Sequence, residues 1–298
     1  MKNIKTALKI SSLLILISFL LSILIQNYIK LDSPVFLKNY LDVDYYEYKD
    51  RYSLSGINIE LKYITNNGEN KNVISVVFEE APELNFYARE NNNIGLMQMY
   101  NDSNYSNINV EKYGYYSIHT VYLDFEIPKE SIKLDNVIKL SKAKITFEDG
   151  DSIDVDLGKI ILSKNSQEES LLERPSLSGS SDGYSQLFYW VKDYIQVSKI
   201  YSLLFEDTED LFQYNINKAG NLEDRDLIYN AKENLFFTSQ FSYIDDPIKK
   251  LYTYDIKPNM YYKDREGKEY VERIYNITYS PNFSFYNIYR YLVETGEI

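Results

Sequence analysis

The chain predicts a mainly β protein, with an N-terminal transmembrane helix followed by two antiparallel β-sandwich domains, immunoglobulin-like in the loose architectural sense. Three observations carry that prediction. Residues 10–29, ISSLLILISFLLSILIQNYI, hold no formal charge. Beyond them, apolar residues recur at every second position in short runs. Those runs end at Asn-Gly, Asp-Gly and Pro, the punctuation of strands and turns.

At ~1.5 Å rise per residue, the uncharged segment makes a helix of about 30 Å, the thickness of a bilayer's hydrocarbon core. It exceeds the ~7–15 residues of a signal-peptide apolar region, and the flank after it lacks the small residues a signal peptidase needs. Ile10, Leu14, Phe19, Leu21 and Ile25 are expected to face lipid, with Tyr28 at the interface. Lys2, Lys5 and Lys9 precede the segment without an acid among them, whereas Asp32, Asp42, Asp44 and Glu47 follow it. Retention of basic residues on the cytoplasmic side then predicts a single-pass plasma-membrane protein. Residues 1–9 are the cytoplasmic tail and the C-terminus is extracytoplasmic.

The whole chain carries a formal charge of −12. Setting aside the four lysines of residues 1–30 leaves the exported part at −16, since all 44 acids lie beyond them. Such a surface excludes nucleic acid, which needs clustered Lys and Arg against phosphate. The expected partners are the lipid bilayer through the helix, a protein in the membrane or envelope, and a neutral glycan. With no cysteine in the chain, stability rests on apolar cores.

Residues 30–55 read as a juxtamembrane stalk. Ser33-Pro34 suggests a short helix through Leu41, and Tyr45, Tyr46, Tyr48 and Tyr52 suggest a polar, aromatic approach to the bilayer. Residues 56–163 form the first predicted domain. Ile57, Ile59, Leu61 and Tyr63 share one strand face before the Asn66-Asn67-Gly68 turn. Ile74, Val76 and Phe78 share another, and His119, Val121, Leu123 and Phe125 a third. In the segment KAKITFEDGDSIDVDLG, matching parity requires an odd-length loop. Asp149-Gly150-Asp151 is the loop expected, pairing Phe147 with Ile153 and Lys144 with Asp156. Residues 164–183 are rich in Ser, Gly and charge and read as a linker. Residues 184–298 form the second β-rich domain, with a reverse turn at Asp264-Arg265-Glu266-Gly267.

Catalytic signatures are scarce. His119 is the single histidine, so no site needing two can form, and its parity makes it a core residue held by hydrogen bonds. No Gly-x-Ser-x-Gly or Walker loop occurs. No cofactor is implied except calcium, for which Asp149, Asp151 and Asp154 are the candidate ligands. Tyr261, Tyr262, Tyr286, Tyr289 and Tyr291 are the candidates for an exposed aromatic platform, a surface suited to sugar rings or protein partners. The function expected is a non-enzymatic binding, accessory or sensory ectodomain of an envelope complex. A tethered glycan-binding module is the alternative, and a two-carboxylate glycan hydrolase is the third reading.

Overall fold

The computed structural model describes residues 2–54, 59–69, 71–84, 86–90, 110–130, 132–134, 137–165, 169–179, 183–208, 210–216 and 227–298. The protein is mainly β. Among the described residues the strands form one thirteen-stranded sheet and two four-stranded sheets.

A helix runs from Lys2 to Tyr28, and its side chains are described over 10–24 and 27–28. Ile10, Leu14, Phe19, Leu21 and Tyr28 are all exposed, as are the large apolar residues between them. The side chain of Ile25 lies outside the described set. Among the described residues no helix is long and apolar enough to cross a membrane.

The stalk expectation is overturned. Residues 30–55 hold no short helix; they supply the strands Val35–Phe36, Asn39–Tyr48 and Arg51–Leu54. Asn39–Tyr48 lies inside the large sheet, parallel to Ser152–Lys164 on one side and to Thr253–Ile256 on the other. A parallel strand of this kind is covered on both faces. Leu41, Val43 and Tyr45 fill one core, while Asp42 and Asp44 are buried against the opposite one. A second layer of protein covers the face that carries these acids.

The division into two domains also changes. Thr253–Ile256 and Ile277–Tyr279 come from the C-terminal half, yet both extend the large sheet. Within the predicted linker, Leu172–Gly179 is a strand paired with Tyr184–Val191. Its register shifts between Glu173 and Ser176, around Pro175. A proline is tolerated there because the strand is at the sheet edge and bulged.

Two cores result. One lies wholly within residues 36–162. The other gathers the inner faces of both small sheets, together with Ile29, Leu31, Leu37 and Ile64 from the N-terminal half. The residues leaving the N-terminal helix are therefore part of the body. Tyr116 donates from its hydroxyl to the Ile29 carbonyl at 2.8 Å, and Asn66 pairs with both backbone groups of Leu31 at 2.8 and 2.9 Å.

The hairpin keeps the predicted odd-length loop but shifts its register. Ile145 faces Ile153, Ala143 faces Val155, and Lys144 faces Asp154 rather than Asp156. The Phe147 amide donates to the Asp151 carbonyl, which closes a loop of Glu148, Asp149 and Gly150. Gly150 has φ 91°. In three-residue hairpins the left-handed glycine takes the last loop position, which moves the loop one residue earlier than parity alone suggested. Ile74 also departs from expectation, at 56% exposed. A register shift opposite Thr146 and Phe147 turns Val73 into the core in its place.

The C-terminal helix Phe285–Thr295 was not foreseen. The Ser284 side chain caps its start by accepting from the Asn287 amide, and Gly296 ends it at φ 78°. Ile288, Tyr291 and Leu292 form its buried face.

Candidate functional site

The hairpin acids are held by a lysine. Lys71 Nζ sits on Asp149, and at 2.6 Å from Asp151. Its hydrogen bonds to both acids raise its own pKa, and its bond to Asp149 holds that carboxyl below the usual range. Asp154 is exposed opposite Lys144. Among the described residues no group of three or more His, Cys, Asp or Glu side chains is placed to hold a metal ion. The calcium expectation at Asp149, Asp151 and Asp154 is corrected accordingly: a lysine brought in from residue 71 takes the position a cation would occupy.

The tyrosine platform does not assemble either. Tyr261 and Tyr262 are consecutive on the strand Asn259–Lys263, so they point to opposite faces, and Tyr262 is buried. Tyr286, Tyr289 and Tyr291 lie on the C-terminal helix, where Tyr286 is exposed, Tyr289 is half-buried and Tyr291 is in the core. On this helix Tyr289 and Tyr291 lie about 160° apart, so Tyr291 turns into the core while Tyr289 stays at its margin. His119 is 1% exposed, with Nε2 3.0 Å from Thr65 Oγ1 and its ring stacked on Tyr63. Its Nδ1 meets no partner among the described residues, and burial lowers its pKa.

A charged seam joins the two halves of the chain. Asp42 Oδ2 accepts from Ser202 Oγ at 2.8 Å and from the Lys257 amide at 2.9 Å. Asp44 lies 3.1 Å from Arg273 Nη2, and Lys257 Nζ lies 3.1 Å from Asp255. Lys159 reaches across to the Leu203 carbonyl and to Asp207. Burial pushes Asp42 and Asp255 above the usual carboxylate range, opposed by Arg273 at the first and Lys257 at the second. A cleft of about 570 Å³ runs beside the seam, past Asp44, Glu60, Lys62, Asp255 and Lys257. Each acid along it already faces a cation, Asp44 with Arg273, Glu60 with Lys62 and Asp255 with Lys257. Of these pairs, Asp44–Arg273 joins the two halves, while Glu60–Lys62 and Asp255–Lys257 are local and Asp255 Oδ1 meets no partner among the described residues.

The other distinctive surface is the outer face of the small sheet built from Leu172–Gly179, Tyr184–Val191, Asn234–Phe241 and Phe212–Ile216. Its two central strands, Tyr184–Val191 and Asn234–Phe241, alternate strictly. Leu187, Tyr189, Leu235 and Phe237 point into the core, so Gln186, Phe188, Trp190, Asn234, Phe236 and Thr238 point outward. One rung across the sheet reads Ser178, Gln186, Thr238, Asn215, and the next Ser176, Phe188, Phe236. Trp190 stands opposite Asn234 and is 49% exposed. The Phe188 and Phe236 rings lie 4.9 Å apart, and the Trp190 indole meets Phe188 at 86°. A recess of about 290 Å³ opens beside the two phenylalanines, lined also by Ser176, Ser178, Gln186 and Asn234. Sequence reasoning missed this face, although YSQLFYWV carries the required alternation.

No protein-family model matches the chain, and no curated protein matches it. Among solved structures, the D00-D0 domain of intimin is similar over 82% of this chain and 98% of its own, at 10% identity and a TM-score of 0.20. Fibronectin(III)-like modules of CbhA from Clostridium thermocellum cover 85% and 93%, at 9% identity and 0.19. A marsupial T cell receptor covers 82% and 61%, at 8% and 0.18. Likenesses at this level carry no argument about this chain's fold or activity.

Proposed function

We propose that the chain is a single-pass, membrane-anchored ectodomain that binds a partner outside the cell membrane and performs no chemistry of its own. The observation carrying this reading is the junction between helix and body. The helix over 10–24 carries no charge, its large apolar side chains are exposed throughout, and Ser11, Ser18 and Ser22 share one narrow stripe of it. Such a helix belongs in a protein core or in lipid, since each large side chain left in water forgoes about 1.5–3 kcal/mol. Immediately after it, Ile29 and Leu31 enter the β core and are bonded to Tyr116 and Asn66. The chain leaving the helix is thus anchored directly in the body, as suits a presenting ectodomain. The lysines at 2, 5 and 9 support a cytoplasmic N-terminus.

Alkaline extraction and protease treatment of intact cells test this. The full chain is expected to stay with the membrane pellet at high pH, and the acidic body to be digested from outside. Recovery in the soluble fraction, or a body spared by the protease, overturns the proposal.

A further inference from the structure

We infer that the outer face of the small sheet, centred on Trp190, Phe188 and Phe236, is a binding site for an uncharged polysaccharide. The inference rests on the reading of the chain as a binding ectodomain and names the class of ligand. Charged residues make up 26% of the sequence, and other exposed strands carry them freely. The hairpin presents Lys139, Lys142, Lys144, Asp154 and Asp156, for example. Along the two central strands of the small sheet, every outward position from Gln186 to Trp190 and from Asn234 to Gln240 is aromatic, amide or hydroxyl. Among the described residues, Glu173 brings outward charge across from Trp190 at the edge.

The chemistry of that composition is specific. Aromatic faces carry a negative quadrupole, which attracts the polarised C–H bonds on the faces of pyranose rings. The Phe188 and Phe236 rings, 4.9 Å apart and tilted by 31°, border the recess, and the Trp190 indole stands edge-on to Phe188 beside it. Around them Gln186, Asn234, Thr238 and Ser176 line the recess or its rung with groups that both donate and accept, as sugar hydroxyls require. Among the described residues the two central strands carry no outward Lys or Arg, which, in a body carrying strong negative charge, selects against polyanions and favours neutral glycans.

Trp190 is the one tryptophan in the chain, so its fluorescence reports on this face alone. The experiment uses the full chain in detergent micelles, titrated with uncharged β-linked hexose and N-acetylhexosamine oligosaccharides, and with a polyanionic glycan for contrast. A saturable shift of Trp190 emission by at least one neutral oligosaccharide is expected, with none from the polyanion. By calorimetry, Trp190→Ala and Phe236→Ser should each weaken that binding at least about tenfold, whereas Trp190→Tyr should retain most of it. Trp190 is exposed, so the Ala variant should keep the parent's melting temperature. No shift across the whole neutral panel overturns the inference. So does binding untouched by Trp190→Ala, or a shift produced only by a polypeptide partner. None of these outcomes depends on extraction behaviour, so failure of the glycan site and failure of the membrane anchor are read separately.

Discussion

The hairpin tip and the central strand Asn39–Tyr48 both carry closely spaced aspartates, and the fold treats them in opposite ways. At the tip, Asp149 and Asp151 stay in solvent and meet Lys71 from a neighbouring strand connection. On the central strand, Asp42 and Asp44 are buried and hold the C-terminal half through Ser202, Lys257 and Arg273. An exposed ion pair contributes little because water screens it. A buried one left without its partner is costly. The same residue type is therefore near-neutral at one place and decisive at the other.

The largest break in this comparison is expected from two glycines with nearly the same backbone. Gly150 at the tip has φ 91° with nothing within 4 Å of an added Cβ, whereas Gly158 has φ 90° and a Cβ there would lie 2.4 Å from the Asn39 carbonyl oxygen. Gly158→Ala should lose about 4 kcal/mol or more, because the clash adds to the left-handed strain. Gly150→Ala should lose only about 1 kcal/mol. Denaturant melts of the two variants measure the gap, and similar losses would show that the central strand is not packed as described.

Next in size is the seam. Asp44→Ala or Arg273→Ala should each cost about 3 kcal/mol, with the double variant costing far less than their sum. Additive losses in that double-mutant cycle would remove the ion pair from the account of how the halves are joined.

The pH response should separate the two regions by sign. Burial raises the folded-state pKa of Asp42, so its contribution to stability is greatest in acid and declines as pH rises through the carboxylate range. Lys71 lowers that of Asp149, so its contribution is present at neutral pH and is lost as pH falls. Stability of the parent minus that of Asp42→Asn should therefore fall from acid to neutral pH. The same difference for Asp149→Asn should rise, by a smaller amount. Parallel slopes would contradict the contrast. The smallest effect belongs to Lys71→Ala, expected to melt almost with the parent and, like the parent, to show no shift on adding calcium. A calcium-dependent rise in melting temperature would reinstate the hairpin acids as a metal site.

Much of the strand pattern was legible because alternation is local. Ile59, Leu61 and Tyr63 are buried as their spacing requires, as are Val121, Leu123 and Phe125. The turn at Asp264–Gly267 joins a true antiparallel pair. Some readable signals were passed over: Ser284 and Gly296 bracket the C-terminal helix, and Gln186, Phe188 and Trp190 alternate with core residues in plain order. The burial of Asp42 and Asp44 had no such signal. Alternation states which side chains share a face, and says nothing of what lies over that face.

Sequence alone was enough for the apolar N-terminal helix, the β character of the body, the odd-length hairpin loop and the acidic surface, since each depends on neighbours within a few residues. The tertiary fold decided the rest. It drew Thr253–Ile256 alongside Asn39–Tyr48, brought Lys71 to the hairpin acids and seated Ile29 in a core assembled from both halves. It also left Trp190 on an uncharged outer face. Those outcomes join residues tens to hundreds of positions apart, and their energies exist only once the layers have packed.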